Sequence, residues 1–136
     1  MSRKSARENA FFLLFQMDFY ETEEYEKVKE IFFAEKEQPL KEEDRVFITK
    51  EAEGAQKHKE EIDKIIQECA KGWEPERMNK VDLAILRLAV YEMRFSGDTP
   101  VGVAINEAVE LAKKFSSDEA PAFINGILGK AARGEA

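Results

Sequence analysis

A chain of 136 residues suffices for one self-contained core, burying roughly two-thirds of the surface its unfolded form exposes, and is short for two ordinary domains. With 7 Gly and 4 Pro against 43% hydrophobic and 36% charged residues, the composition favours helices over the turn-rich pattern of an all-β fold. A net charge of −7 argues against indiscriminate nucleic-acid binding, because phosphate repulsion acts at long range unless cations are gathered locally. The single Cys69 cannot close an intramolecular disulfide, and no long apolar signal-type run precedes Phe11. No stretch reaches the ~18 uncharged apolar residues of a membrane span, so a cytoplasmic chain is expected.

Charge is polarised along the sequence. Arg3, Lys4 and Arg7 come before any acid, whereas residues 21–43 are crowded with carboxylates. From about Ser5, the residues Ala6, Ala10, Leu13, Leu14 and Met17 recur at helical spacing and predict a first helix reaching about Tyr20. If it starts early, all three cations share one side of its first turns. A second helix, about 23–36, carries Tyr25, Val28, Ile31, Phe32 and Phe33 and ends before Pro39. A third begins near Glu42 and is expected to be weakened at Gly54. A fourth carries Ile62, Ile65, Ile66 and Cys69 and closes at Gly72.

Residues 71–75 form the best internal boundary, dividing one domain into an N-terminal part of about 1–72 and a C-terminal part of about 73–136. Residues 81–95 are apolar on nearly every side, which predicts a central helix packed by several neighbours. Asp98-Thr99-Pro100 breaks it. The next helix presents Ile105, Ala108, Val109, Ala112 and Phe115 as a stripe, and the last follows capping residues 116–118 with Pro121 in its first turn.

Catalytic groupings are nearly absent. His58, the only histidine, has no companion for a metal site and reads as solvated helix surface. Cys69 lies on an apolar stripe as an inert thiol. Glu42-Glu43 and Glu60-Glu61 look like exposed helix surface, and no glycine-rich phosphate loop occurs, so an enzyme is not expected.

Binding is the better class. Arg3, Lys4 and Arg7 suit phosphates, although a solvated N-terminus has the same composition. Phe11, Phe12 and Phe15 suit base stacking, although aromatics at helical spacing also build cores. Trp73 is expected to pack down on the helix it follows. Asp82, Arg87 and Glu92 interrupt the central helix either as a structural ion-pair set or as part of a partner-binding face.

Several motifs occur in order: Arg3, Ala6 and Arg7; Ile62-Asp63; Trp73 and Arg77; Asp82 with Ile85-Leu86-Arg87-Leu88-Ala89 and Tyr91-Glu92; Pro100; residues 106–113; and Phe123-Ile124-Asn125-Gly126. With this set the chain resembles the NusB family over almost its whole length. The resemblance implies an all-α domain of about seven helices in two small packed bundles, without cofactor or metal. It implies a transcription antitermination factor that binds the boxA element of nascent ribosomal RNA together with NusE, a small-subunit ribosomal protein, on RNA polymerase.

Carried over by position, Arg3, Lys4 and Arg7 hold phosphates, Phe15 touches RNA, and Glu119 and Phe123 lie beside it. Asp82 belongs to the NusE-facing surface. Three cations stand where many members carry a denser arginine run, so a logarithmic salt slope of about −2 is expected for single-stranded RNA and NusE is expected to be needed for tight binding. Cys69 stands near a position that is aromatic in some members.

Two rivals remain. The RNA-binding part of some ribosomal RNA cytosine methyltransferases resembles this chain, but such enzymes need a further large domain. The other rival is a helical interaction module, including a homodimer, with little RNA contact.

Overall fold

Small and branched residues at three- and four-residue spacing give the first helix its buried stripe, and Ser2 fixes where it starts. In the computed structural model, which describes residues 1–134, α1 spans Arg3–Met17 and buries Ala6, Ala10, Leu13, Leu14 and Met17. Ser2 Oγ accepts the Ser5 N–H at 3.0 Å, satisfying one of the helix's open donors. The helix stops about a turn short of the expected Tyr20, leaving Phe19 and Tyr20 exposed.

A 3₁₀ turn at Thr22–Glu24 leads into α2 (Tyr25–Ala34). Next come α3 (Glu42–Lys57) and α4 (Lys59–Cys69), which meet at His58. Gly54 does not interrupt α3. A Cβ built there would fall 2.3–2.5 Å from atoms of the Tyr91 phenol, so the glycine lets that side chain of α5 rest against α3. The helix-propensity cost of glycine, ~1 kcal/mol, is offset by that packing.

His58 is not simply solvated. It is half-buried, with its ring stacked on Phe95 at 4.3 Å. Gly72, at φ +86°, turns the chain out of α4. Trp73 departs from expectation: it is 54% exposed and meets the Phe123 ring of the last helix edge-on at 5.6 Å instead of folding back on α4.

Asn79 opens α5 (Lys80–Tyr91), its Oδ1 accepting the N–H groups of Val81 and Asp82 at 2.7 and 3.3 Å. Every residue from Asp82 to Tyr91 is buried, and the helix packs against α1, α3, α4, α6 and α7. Leu83, Ile85, Leu86 and Leu88 are at most 1% exposed. Burial of each such side chain is worth ~1.5–3 kcal/mol, which makes α5 the spine of the core. The expected continuation to Phe95 is a π-helical turn, Glu92–Ser96, ended by Gly97 at φ +72°.

Helix α6 (Val101–Phe115) and helix α7 (Ala120–Arg133) complete the chain, with Pro121 in the first turn of α7, where a missing N–H does no harm. Among the described residues there are seven α-helices and no strand, as expected of an all-α domain.

The charges interrupting α5 do not pair with one another. Arg87 donates to both carboxylate oxygens of Asp63 at 2.8 Å and to Asp18 at 3.0 Å, tying α5 to α4 and to the end of α1. Burial alone would raise the Asp18 pKa, but Arg87, Lys59 and Lys80 outweigh it and hold the carboxyl below its usual range. Asp82 accepts the Ser116 hydroxyl, and Glu92 pairs with Arg7.

Candidate nucleic-acid interface

The basic start of α1 divides into an outer and an inner part. The Arg3 guanidinium lies 3.9 Å above the Phe47 ring of α3, a cation–π contact that leaves its edges open to solvent. Lys4 Nζ reaches Glu107 on α6 at 3.3 Å, and Lys114 Nζ reaches Glu8 on α1 at 3.0 Å. Lys113 pairs with Glu110 at 3.2 Å within α6. The groove between α1 and α6 is therefore lined by Lys4, Lys113 and Lys114 with carboxylates between them.

Arg7 faces inward. It is 6% exposed, and Glu92 accepts its Nε and Nη2 at 2.9–3.1 Å, with Thr99 Oγ1 adding a bond to Glu92 at 3.0 Å. Beside this pair lies Glu51, 2% exposed, whose Oε1 has no hydrogen-bond partner among the described residues. Burial and the neighbouring Glu92 push the Glu51 carboxyl up to about 8, so it holds its proton at neutral pH.

Aromatic rings continue from the basic end along α1. Phe12 is half-buried and meets Phe115 of α6 edge-on at 5.1 Å; Phe15, also half-buried, meets exposed Phe19 edge-on at 5.3 Å. Phe11 is a core residue at 3% exposure. Where α7 begins, a separate cleft of about 250 Å³ is lined by Trp73, Met78, Asn79, Asp82, Glu119 and Phe123. Phe123 forms part of its wall, Glu119 is exposed at the rim, and Asp82 is 9% exposed and already bonded to Ser116.

The NusB family model matches residues 4–133. The chain belongs to the NusB family. Among relatives, the transcription antitermination protein NusB of Agathobacter rectalis is 46% identical over 130 residues, covering 96% of this chain and 98% of that protein. Its counterpart from Symbiobacterium thermophilum is 47% identical over 139 residues, covering 98% and 91%. Among solved structures, T. maritima NusB superposes with a TM-score of 0.85 at 29% identity, covering 100% of this chain and 94% of that one. A structure of the antitermination factors NusB and NusE in complex with dsRNA has a TM-score of 0.84 at 29% identity, covering 97% and 96%.

For this NusB-family chain, the residues singled out in the sequence fall into two groups. Arg3, Lys4 and Phe15 lie along α1, whereas Asp82, Glu119 and Phe123 surround the second cleft. Arg7 belongs to the interior ion pair, so its charge is neutralised within the fold. Lys113 and Lys114 were not singled out, although two consecutive cations in the last turn of a predicted helix were a visible signal. That α6 lies beside α1 was not visible.

Proposed function

We infer that this NusB-family protein is a transcription antitermination factor. It binds boxA-type single-stranded RNA of nascent ribosomal RNA transcripts together with NusE and helps assemble the antitermination complex on RNA polymerase. The observation that carries this reading is the gathering of Arg3, Lys4, Lys113 and Lys114 beside Phe12, Phe15 and Phe115 on a chain whose net charge is −7. Local cations supply phosphate contacts despite the unfavourable total, and half-open rings supply faces for unstacked bases.

Arg7 holds the helix that carries the outer cations, and its part in RNA binding is positional. The cleft at the start of α7 lies where the two partners meet, with Glu119 and Phe123 toward the RNA and Asp82 toward NusE. A solved relative contains NusB, NusE and dsRNA together, which supports a role that involves both NusE and RNA. The activity is assembly rather than catalysis. RNA and NusE each raise the effective concentration of the other, so two modest contacts reach useful affinity. No helix among the described residues is long and apolar enough to cross a membrane, and a cytoplasmic site of action suits a transcription factor.

The test is titration of labelled boxA-type RNA at two salt concentrations, with and without NusE. Selective binding that tightens when NusE is present supports the adapter function. Absence of selective binding in both conditions rejects it in favour of a helical interaction module, and sedimentation of the protein alone then reports a homodimer.

A further inference from the structure

Each exposed lysine of the groove between α1 and α6 is held by a carboxylate of that same groove. Glu107 and Glu8 side chains are only 21% and 20% exposed, whereas their partners Lys4 and Lys114 are 57% and 60% exposed. The carboxylates are thus sunk into the groove and the ammonium groups ride above them. Both contacts are cross-helix pairs, Lys4 of α1 with Glu107 of α6 and Lys114 of α6 with Glu8 of α1. We propose that Glu8 and Glu107 are specificity-determining residues, acting as built-in counter-charges that occupy Lys114 and Lys4 and suppress binding of RNA of arbitrary sequence.

An RNA phosphate entering this groove must share each lysine with a carboxylate that stays in place. Sequence-independent binding depends almost wholly on phosphate contacts, so it bears the full cost of that competition. RNA that also stacks bases on aromatic rings and makes base-specific contacts has other favourable terms to set against it. Discrimination is a difference of affinities, and a repulsive element that penalises the unwanted ligand widens it. Exposed ion pairs exchange readily, so the lysines remain available to the correct RNA.

This inference rests on the proposed RNA-binding function for its location, and its test reads separately. Binding of two labelled single-stranded RNAs, one boxA-type and one of the same composition in shuffled order, is measured by fluorescence anisotropy at two salt concentrations. The proteins are the full chain, E8Q, E107Q, E8Q/E107Q, and E23Q/E30Q as a control that changes net charge equally on exposed residues of the Thr22–Ala34 region. Thermal unfolding establishes that each variant is folded.

The expected result is a gain of about tenfold for the shuffled RNA with E8Q/E107Q, a smaller gain for the boxA-type RNA, and part of each effect in the single variants. The magnitude of the salt slope should grow by up to ~1.4, equivalent to two further phosphate contacts. Where the wild type prefers the boxA-type RNA, an unchanged ratio of the two affinities overturns the proposal, and an equal gain in the control overturns it in every case. A wild-type chain without boxA preference whose shuffled-RNA binding still rises in E8Q/E107Q but not in the control overturns the proposed function and leaves the counter-charge role standing.

Discussion

Arg7 and Glu92, 85 residues apart, share a buried ion pair in which Arg7 Nε donates to both carboxylate oxygens at 3.0 and 3.1 Å and Nη2 donates again at 2.9 Å. The pair ties the start of α1 to the π turn after α5, so it anchors the element that carries Arg3 and Lys4.

Removing one member strands the other charge in the interior. Arg7→Ala is expected to destabilise the fold by about 3–5 kcal/mol in urea unfolding. Arg3→Ala, at an exposed site, should change stability by about 0.5 kcal/mol or less while weakening RNA binding and lowering the magnitude of the salt slope by ~0.7. Equal losses of stability in the two variants would show that Arg7 is not the anchor.

The division between these arginines shows how far the sequence could be read. Helical spacing located the stripe on α1 and the all-round apolar pattern of α5, because periodicity is a property of neighbours in the chain. It placed Arg3, Lys4 and Arg7 in one cluster for the same reason. Sorting Arg7 inward required knowing that Glu92 lies opposite, and pairing Lys114 with Glu8 required knowing that α6 lies beside α1; both are relations across the fold. Trp73 was misplaced because Gly72 turns it toward α7 and away from the helix it follows.

The buried Glu51 carboxyl should make stability fall on the alkaline side. Its folded pKa, raised to about 8 from an ordinary 4.5, gives a contribution fully present below pH 4.5 and lost as pH rises through 8. Urea midpoints measured between pH 5 and 9 should therefore decline for the wild type and decline less for Glu51→Gln. Parallel curves would remove Glu51 as the cause.

Asp18 acts in the opposite direction. Its lowered pKa gives stability that is present above the ordinary value of 3.8 and lost as pH falls through the folded value. Asp18→Asn should lower stability at pH 7 and reduce the loss seen on acidification, read from thermal unfolding between pH 2 and 7. An unchanged acid limb would contradict the balance of charges around Arg87.

Trp73, the only tryptophan, stands half-exposed at the rim of the cleft with Asp82 and Phe123. Its emission should shift to shorter wavelength when NusE is added, as water leaves the indole, and boxA-type RNA alone should shift it less. No change with NusE would place that partner elsewhere.

Gly54→Ala should cost about 1–3 kcal/mol through overpacking against Tyr91, against a helix-propensity gain of ~0.5–1 kcal/mol. A variant as stable as the wild type would mean that the Tyr91 ring yields freely.

Tyr91 immediately precedes Glu92 in the chain, so the same clearance bears on the ion pair that Glu92 makes with Arg7. The Tyr91 ring rests on the bare backbone at Gly54, and the carboxylate of the next residue holds α1 through Arg7. Adding a methyl group there on α3 is therefore expected to disturb the aim of Arg3 and Lys4. A lesion at Gly54 is expected to register as a defect in ligand capture at an edge it never touches.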